Sequence, residues 1–186
     1  MLDHLLEWDR QTFIYLNNLG IEQYDVFWSA VTNISTWIPL FIIFFLLIYI
    51  KHPRKEALIK ALITLLAIGA ILLTVEFTKA SVARLRPNND IEINSLIRIL
   101  KNPGNYSFFS GHASTSFGIT TLVVLFLRKR IKWVWLFFVW PLLFSFSRIY
   151  VGVHYPIDII VGVLVGLIYA LLSYRLYTVF IEPKIQ

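Results

Sequence analysis

Long apolar runs separated by short polar segments dominate the chain, and they predict membrane-spanning helices. A span needs about 20 residues to cross about 30 Å of hydrocarbon, and shorter segments are tolerated where their polar ends reach the interface. The pattern therefore predicts an all-α, polytopic membrane helical bundle in which residues 1–186 form one domain. The five predicted spans cover approximately residues 37–50, 57–81, 112–127, 133–150 and 156–174.

The N-terminal region has a different pattern. Residues 3–19 mix apolar side chains such as Leu5 and Trp8 with charged ones such as Glu7 and Asp9. This segment is too charged to span, so we predict a helix that lies in the membrane interface and ends at Gly20. Residues 22–34 are open to two interpretations, a second interfacial helix or a sixth span. The prediction is five to six transmembrane helices plus an N-terminal interfacial helix.

The connections between spans predict the orientation of the bundle. The segments 51–56 and 128–132 are basic and fall on the same side of the membrane. The positive-inside rule assigns that side to the cytoplasm. The loops at 82–111 and 151–155 then face outward. The first of them is also basic, with Arg84 and Arg98 among its cations, and we expect these charges to serve the chemistry on that side.

Composition supports this architecture and limits the classes of molecule that the protein is expected to bind. The chain is 58% hydrophobic and 15% charged, against about 45–50% and about 25% for soluble domains. A net charge of +6 would suggest nucleic acid in a soluble protein. In a membrane protein it reflects cytoplasmic loops and contacts with lipid phosphates, so we predict membrane lipids as partners and no nucleic acid. The chain has no cysteine, which excludes thiolate and disulfide chemistry.

Three cations fall at the predicted outer ends of spans. They are Lys79, Arg86 and Arg148. Ionisable residues at membrane depth are costly and usually functional, although a single lysine such as Lys79 can also extend to lipid headgroups. Arginine and lysine side chains together suit a phosphate group. The grouping therefore indicates an anion site at the outer face.

The short stretch from Ser110 to His112 opens the third predicted span. A helix start offers free backbone N–H groups and the positive end of the helix dipole, which favour anions. Gly111 would allow an oxyanion to approach the backbone closely. We predict that Ser110 and Gly111 help bind a phosphate, with His112 beside it. The small residues that follow, Ala113 and Ser114 among them, are interpreted as helix-packing positions.

His154 and Asp158 form the second candidate pair. Pro156 suits the first turn of a helix, so Asp158 would lie in that turn and reach back to His154. A carboxylate that holds one ring nitrogen leaves the other free as a nucleophile, while His112 is placed to protonate a departing oxygen. The alternative is that Asp158 only caps the helix. No carboxylate cluster has a spacing typical of a divalent metal, so we predict catalysis without a metal or cofactor.

These residues resemble the motifs of the type 2 phosphatidic acid phosphatase (PAP2) superfamily, membrane relatives of the vanadium haloperoxidases. The family patterns are Lys-x6-Arg-Pro, Pro-Ser-Gly-His and Ser-Arg-x5-His-x3-Asp. Every spacing matches, and the one departure is Phe109, which stands where the family has proline. The matching residues are Lys79 with Arg86-Pro87, then Ser110-Gly111-His112, then Ser147-Arg148 with His154 and Asp158.

The resemblance implies roles for these residues. His154 is expected to be the nucleophile that forms a phosphohistidine, with Asp158 as its orienting partner. His112 is expected to be the general acid and later the base that activates water. The phosphate would be held by the remaining positions, which are Lys79, Arg86, Ser110, Gly111 and Arg148.

The implied function is a phosphatase acting at the outer leaflet on a phosphorylated or pyrophosphorylated lipid. Undecaprenyl diphosphate, phosphatidylglycerophosphate and lipid A are the candidate substrates, and a bacterial inner membrane with an outward or periplasmic site is the expected location. Two alternatives stay open, a lipid-to-lipid phosphotransferase and a non-catalytic lipid-binding or transport protein. Residues 96–101 are predicted to form a short interfacial helix that either grips the headgroup through Arg98 and Lys101 or only covers the site.

Overall fold

The computed structural model describes residues 1–185, and within them every regular element is helical. Short 3-10 turns join several of the helices, and a π-helical turn, Tyr177–Ile181, follows the last. This all-α architecture confirms the predicted fold class. The seven α-helices are α1 (Leu2–Asn18), α2 (Asp25–Val31), α3 (Ile38–Lys51), α4 (Arg54–Val82), α5 (Gly111–Leu127), α6 (Val139–Tyr150) and α7 (Pro156–Leu176).

All five predicted spans are helical, and the central one lies in the shortest continuous helical stretch. Four helical stretches are long and apolar enough to cross a membrane, and α5 is a shorter apolar helix. α5 contacts α3, α4, α6 and α7, and most of its side chains are buried. Because its neighbours separate it from lipid, α5 tolerates polar side chains such as Ser116 and Thr120. The four long stretches are Ile34–Lys51, Arg54–Asn89, Lys132–Tyr150 and Pro156–Lys184.

Small residues bring α5 and α7 together at very short range. A Cβ at Gly162 would lie 2.7 Å from the carbonyl oxygen of Ser110. A Cβ at Gly166 would overlap the carbonyl oxygen of Ser114. Small residues spaced four apart allow such backbone contact in membranes. The contact extends to the helix starts, where the Ser110 N–H donates to the Asp158 carbonyl at 2.9 Å. This packing fixes the start of α5 against the start of α7.

The N-terminal region contains two helices that do not span. α1 is amphipathic, and its buried face consists of Asp9, Phe13 and Asn17, while apolar residues such as Trp8 are exposed. α2 has seven residues and is therefore about 10 Å long, against about 30 Å of hydrocarbon. The structure therefore favours the interfacial interpretation of residues 22–34 over a sixth span.

The outer loop does not form the helix predicted at residues 96–101, so that prediction is wrong. A 3-10 turn covers Asn94–Leu96, and the backbone is extended at Ile97. The Arg98 N–H donates to the Asn17 side chain at 2.7 Å. The N–H groups of Leu100 and Lys101 both donate to the Val151 carbonyl. These backbone groups bond to neighbouring elements, which leaves none for a helical pattern.

Candidate active site

The three motif segments meet at one end of the bundle. They come from the ends of four helices and from the segments beside them, so the antiparallel packing of the spans decides the meeting point. All the predicted site residues lie there, and most are buried. Lys79 is in the last turn of α4, Arg86 follows α4, Ser110 to His112 begin α5, Arg148 is in the last turn of α6, His154 precedes α7 and Asp158 is in its first turn.

His154 is held from both ring nitrogens. Its Nδ1 lies 3.3 Å from Asp158 Oδ2, and its Nε2 lies 3.0 Å from Arg86 Nη1. A guanidinium can only donate, so Nε2 must accept and the neutral ring carries its proton on Nδ1. The Nε2 lone pair therefore points toward the cationic group. Asp158 also accepts the Tyr155 N–H at 3.0 Å, which fixes the carboxylate at the start of α7.

The surroundings of His154 keep the ring neutral. The side chain is 1% exposed. Burial, and then the charges of Arg86, Arg148 and Lys79, lower the pKa of His154 well below its usual value. A neutral imidazole with a free Nε2 lone pair is the form that can attack an electrophile.

Arg86 is positioned by a residue that the sequence patterns did not indicate. Its Nε donates to the Asn105 carbonyl at 2.8 Å, and its Nη2 donates to Asn105 Oδ1 at 2.8 Å. Its Nη1 also donates to the Val153 carbonyl at 2.9 Å. Asn105 lies in the outer loop, and nothing in its local sequence indicates this contact.

Arg148 and Lys79 bring positive charge that the protein does not neutralise. Arg148 is buried, and its Nη1 donates to Thr32 Oγ1, while its Nε has no hydrogen-bond partner among residues 1–185. Lys79 is 8% exposed, and its ammonium forms no ion pair within the described chain, not even with Glu76. Buried polar groups are normally paired, so these cations are suited to an anionic ligand.

Ser110 and Gly111 have structural contacts in addition to their place beside the cations. The Ser110 hydroxyl accepts the Ala113 N–H at 3.4 Å and caps α5. A Cβ at Gly111 would lie 3.3 Å from the Val75 side chain on α4, a tight contact that would require Val75 to shift. Ser110 and Gly111 therefore have structural roles at the start of α5 that do not depend on contact with a ligand.

A polar cavity of about 480 Å³ opens beside Arg148. His112 and Arg148 line it, and the His112 ring lies 4.9 Å from the Phe144 ring. The outer loop contributes Lys101 to the same wall, whereas Arg98 is bound to Asp25 at 2.7 Å. Of the two loop cations, Lys101 alone faces this cavity. Its other lining residues are Thr32, Asn33, Ile34, Asn102 and Pro103.

A second cavity, of about 570 Å³, lies between α3, α4 and α5 and is almost entirely apolar. Ile34 lines both cavities, so the two lie next to each other at this residue. Its walls are formed by side chains such as Phe45, Ala61 and Ile119. A chain of hydrocarbon could lie there with its polar end beside His112. Among residues 1–185, no group of three or more His, Asp or Glu side chains has a metal-binding arrangement.

Comparisons with known proteins agree with this geometry. The sequence profile of the PAP2 superfamily matches residues 58–182. Lipid A 4'-phosphatase of Bacteroides thetaiotaomicron is 31% identical over 171 residues, which cover 89% of this chain and 75% of that protein. Lipid A 4'-phosphatase of Porphyromonas gingivalis is 30% identical, covering 95% and 75%. Undecaprenyl-diphosphatase of Sulfolobus acidocaldarius is 36% identical over 143 residues, covering 76% and 63%.

Two crystal structures share the fold. The PAP2-type phosphatidylglycerolphosphate phosphatase of Bacillus subtilis superposes with a TM-score of 0.75 at 22% identity, covering 98% of this chain and 88% of that one. LpxE of Aquifex aeolicus superposes with a TM-score of 0.68 at 27% identity, covering 89% and 93%. The helical bundle, the three meeting motifs and the match over most of the chain lead to one conclusion: this chain belongs to the PAP2 superfamily.

Proposed function

We propose that the protein is an integral membrane phosphatase that hydrolyses a phosphomonoester or diphosphate of a lipid without a metal or cofactor. The observation that carries the proposal is the alignment of Asp158, His154 and Arg86 beside Lys79 and Arg148, two buried cations that form no ion pair within residues 1–185. The family and the names of its relatives support the same reaction class. The apolar cavity that adjoins the polar one at Ile34 supports a lipid as the substrate.

The first half of the reaction transfers the phosphoryl group to the enzyme. The substrate phosphate displaces the Arg86–His154 hydrogen bond, and Nε2 of His154 attacks phosphorus. The N–P bond forms, the P–O bond to the lipid breaks, and His112 gives its proton to the departing oxygen. Asp158 accepts the Nδ1–H throughout and stabilises the cationic ring that results.

The second half returns the enzyme to its starting state. His112, now neutral, takes a proton from water as the water oxygen attacks phosphorus. The N–P bond breaks, inorganic phosphate leaves, and His154 regains its Nε2 lone pair. Lys79, Arg86 and Arg148 stabilise the charge on the equatorial oxygens in both halves. The start of α5 adds the Gly111 N–H and the Ser110 hydroxyl, whereas the Ser110 N–H already donates to the Asp158 carbonyl.

The cavities also suggest how the substrate is arranged. The phosphate would lie among the cations, the tail would lie between α3, α4 and α5, and Lys101 would face the rest of the headgroup. A diphosphate or a second sugar phosphate fits this arrangement, as in undecaprenyl diphosphate or lipid A. Phosphatidylglycerophosphate is the third candidate.

The proposed location is a bacterial inner membrane with the site on the exterior or periplasmic side. The basic segments 51–56 and 128–132 lie at the opposite end of the bundle, which supports this orientation. The chain has no cysteine, so Tyr106→Cys and Lys129→Cys would each provide one label site. An impermeant maleimide added to intact cells should label the first variant and spare the second, and the reverse pattern would overturn the orientation.

The function is tested by phosphate release in detergent with excess chelator. Wild type should release phosphate from undecaprenyl diphosphate, phosphatidylglycerophosphate or a lipid A phosphate, and His154→Ala should lose about 10⁴-fold or more. His4→Ala is the matched control, because His4 is an exposed histidine on α1. A requirement for divalent metal, or activity that survives in His154→Ala, would contradict the mechanism. Phosphate transferred to an added lipid alcohol instead of water would identify a phosphotransferase.

A further inference from the structure

The second carboxylate oxygen of Asp158 has a partner outside the three motifs. Arg84 Nη1 donates to Asp158 Oδ1 at 2.8 Å, while Oδ2 is turned toward His154. Arg84 lies two positions before the motif arginine and is not itself a motif residue. Asp158 is completely buried, so its negative charge depends on a nearby cation.

The same guanidinium bridges to the N-terminal helix. Arg84 Nη2 donates to Asp9 Oδ2 at 2.7 Å, and Asp9 Oδ1 accepts the Ile157 N–H at 2.8 Å. Asp9 is also completely buried. A closed circuit therefore runs from Asp158 through Arg84 and Asp9 back to the first turn of α7. Burial raises the pKa of Asp9, and the hydrogen bond from Arg84 opposes that rise.

Further contacts fix Arg84 in this place. Its guanidinium carbon lies 4.0 Å from the centre of the Tyr155 ring, a cation–π arrangement. The Ser107 N–H donates to the Arg84 carbonyl at 2.9 Å. Both terminal nitrogens of Arg84 are bound to carboxylates, which neutralise its charge. Arg86 and Arg148 have no carboxylate partner within residues 1–185, so Arg84 is less suited than they are to bind the substrate phosphate.

We propose that Arg84, held by Asp9 of α1, is a positioning residue that keeps Asp158 ionised and turned toward His154. The inference rests on the proposed function, because it concerns the group that orients the nucleophile. An ionised Asp158 can only accept, which keeps the His154 proton on Nδ1. A protonated Asp158 would donate to Nδ1 and place the ring proton on Nε2, which would remove the attacking lone pair. The N-terminal interfacial helix is thereby part of the catalytic apparatus.

The test is a double-mutant cycle between Arg84→Gln and Asp158→Asn, followed by phosphate release from the best lipid substrate. Arg84→Gln should lower kcat by about 10²-fold with KM changed less than about threefold. In the Asp158→Asn background the same change should cost less than about twofold, because Arg84 acts only through that carboxylate. Asp9→Asn should lower kcat by about threefold to tenfold, since its amide oxygen can still accept one bond.

Two controls separate this role from a structural one. Arg10→Gln removes a half-buried arginine of α1 that pairs with Glu92 and Asp90, and it should retain kcat. Arg84→Lys keeps the charge but cannot bridge two carboxylates, so it should restore part of the kcat lost in Arg84→Gln and show the same non-additivity. If Arg84→Gln does not fold, the cycle is measured with Arg84→Lys.

The results that would overturn the role of Arg84 differ from those that would refute the proposed phosphatase function. Equal costs of Arg84→Gln in both backgrounds, or a rise in KM without a fall in kcat, would overturn the positioning role. Full activity in Asp158→Asn, or no phosphate release by wild type, would instead refute the proposed function. Loss of kcat in Asp158→Asn with retained kcat in Arg84→Gln would refute the inference alone.

Discussion

Lys60 and Lys79 lie near opposite ends of α4, about 28 Å apart along the helix, and both are buried, at 3% and 8% exposure. Lys60 is fully matched, because its ammonium lies 2.5 Å from Glu56 and 5.3 Å from the centres of both the Phe126 and Tyr177 rings. Lys79 has no such partner within the described chain. The comparison shows that a buried cation with a structural role has partners inside the protein, whereas a buried cation without them is suited to bind a ligand.

The two ends differ in more than one residue. Around Lys60, the Tyr177 hydroxyl also donates to Glu56 at 3.1 Å, so each polar group bonds inside the protein. Around Lys79, Arg148 is buried with an unpartnered Nε. Unmatched like charges destabilise a fold, so their presence indicates that the free energy is recovered when an anion binds.

Within this comparison of the two ends of α4, the largest effect is expected from removing an unmatched cation. Arg148→Met should lower kcat/KM for phosphate release by about 10²–10³-fold, because it removes a donor to the phosphoryl oxygens. The unfolding temperature in detergent should stay the same or rise, since a buried charge is lost. Lys129→Met, an exposed cation at the other end, should change neither quantity. An Arg148→Met protein that unfolds early with full activity per folded molecule would reverse the comparison.

Removing the matched cation should have the opposite signature. Lys60→Met should lower the free energy of unfolding by about 3 kcal/mol, the low end for breaking a buried pair, because the Glu56 side chain is 18% exposed. Equilibrium unfolding in mixed micelles measures the change, and kcat of the folded variant should match wild type. The double variant Glu56→Gln/Lys60→Met should recover part of the loss. A catalytic defect in Lys60→Met without destabilisation would contradict this.

The sequence predicted the spans and the meeting of the motifs more fully than it predicted the contacts between them. Apolar runs are sufficient for helices in a membrane, because each helix satisfies its own backbone. The helix prediction for residues 96–101 was wrong because it relied on the spacing of apolar side chains. Their apolar side chains pack in separate clusters, Ile97 near Phe13 and Leu100 near Val151, so their spacing did not reflect one helix face.

The missed partners share a physical cause. Thr32 and Asn105 bind site residues from segments whose placement depends on tertiary packing, which local sequence does not specify. Arg84 was expected to serve the chemistry of the outer face, but its bond to Asp158 was not predicted, for the same reason. α1 did contain a usable signal, because Asp9, Phe13 and Asn17 are four residues apart and define one helix face. In a soluble protein the apolar face of a helix is expected to be buried. Beside a membrane the apolar face can contact lipid, so Asp9 and Asn17 face the bundle instead.

A smaller effect is expected in the apolar cavity. Ala61→Phe would fill space between α3, α4 and α5 and should lower kcat/KM for a long-chain lipid phosphate by about tenfold. A short-chain, water-soluble phosphate should be hydrolysed as before, because the cations are unaltered. Leu62→Phe is the matched control, since the neighbouring Leu62 is 55% exposed and faces away from the cavity. Equal losses for both substrates would show that the cavity does not hold the tail.

The smallest expected effect of the unmatched cations is on the ring proton of His154. The chain has four histidines, so 15N-histidine labelling gives few signals, and His154→Gln identifies the one from His154. Burial and nearby cations lower the pKa of His154, which means that the neutral ring persists as pH falls through 6.5 and protonates only at more acidic pH. The His154 nitrogens should therefore report an Nδ1–H tautomer that is unchanged between pH 8 and 6. A titration midpoint at or above 6.5, or a proton on Nε2, would mean that the cations do not prepare this ring for attack.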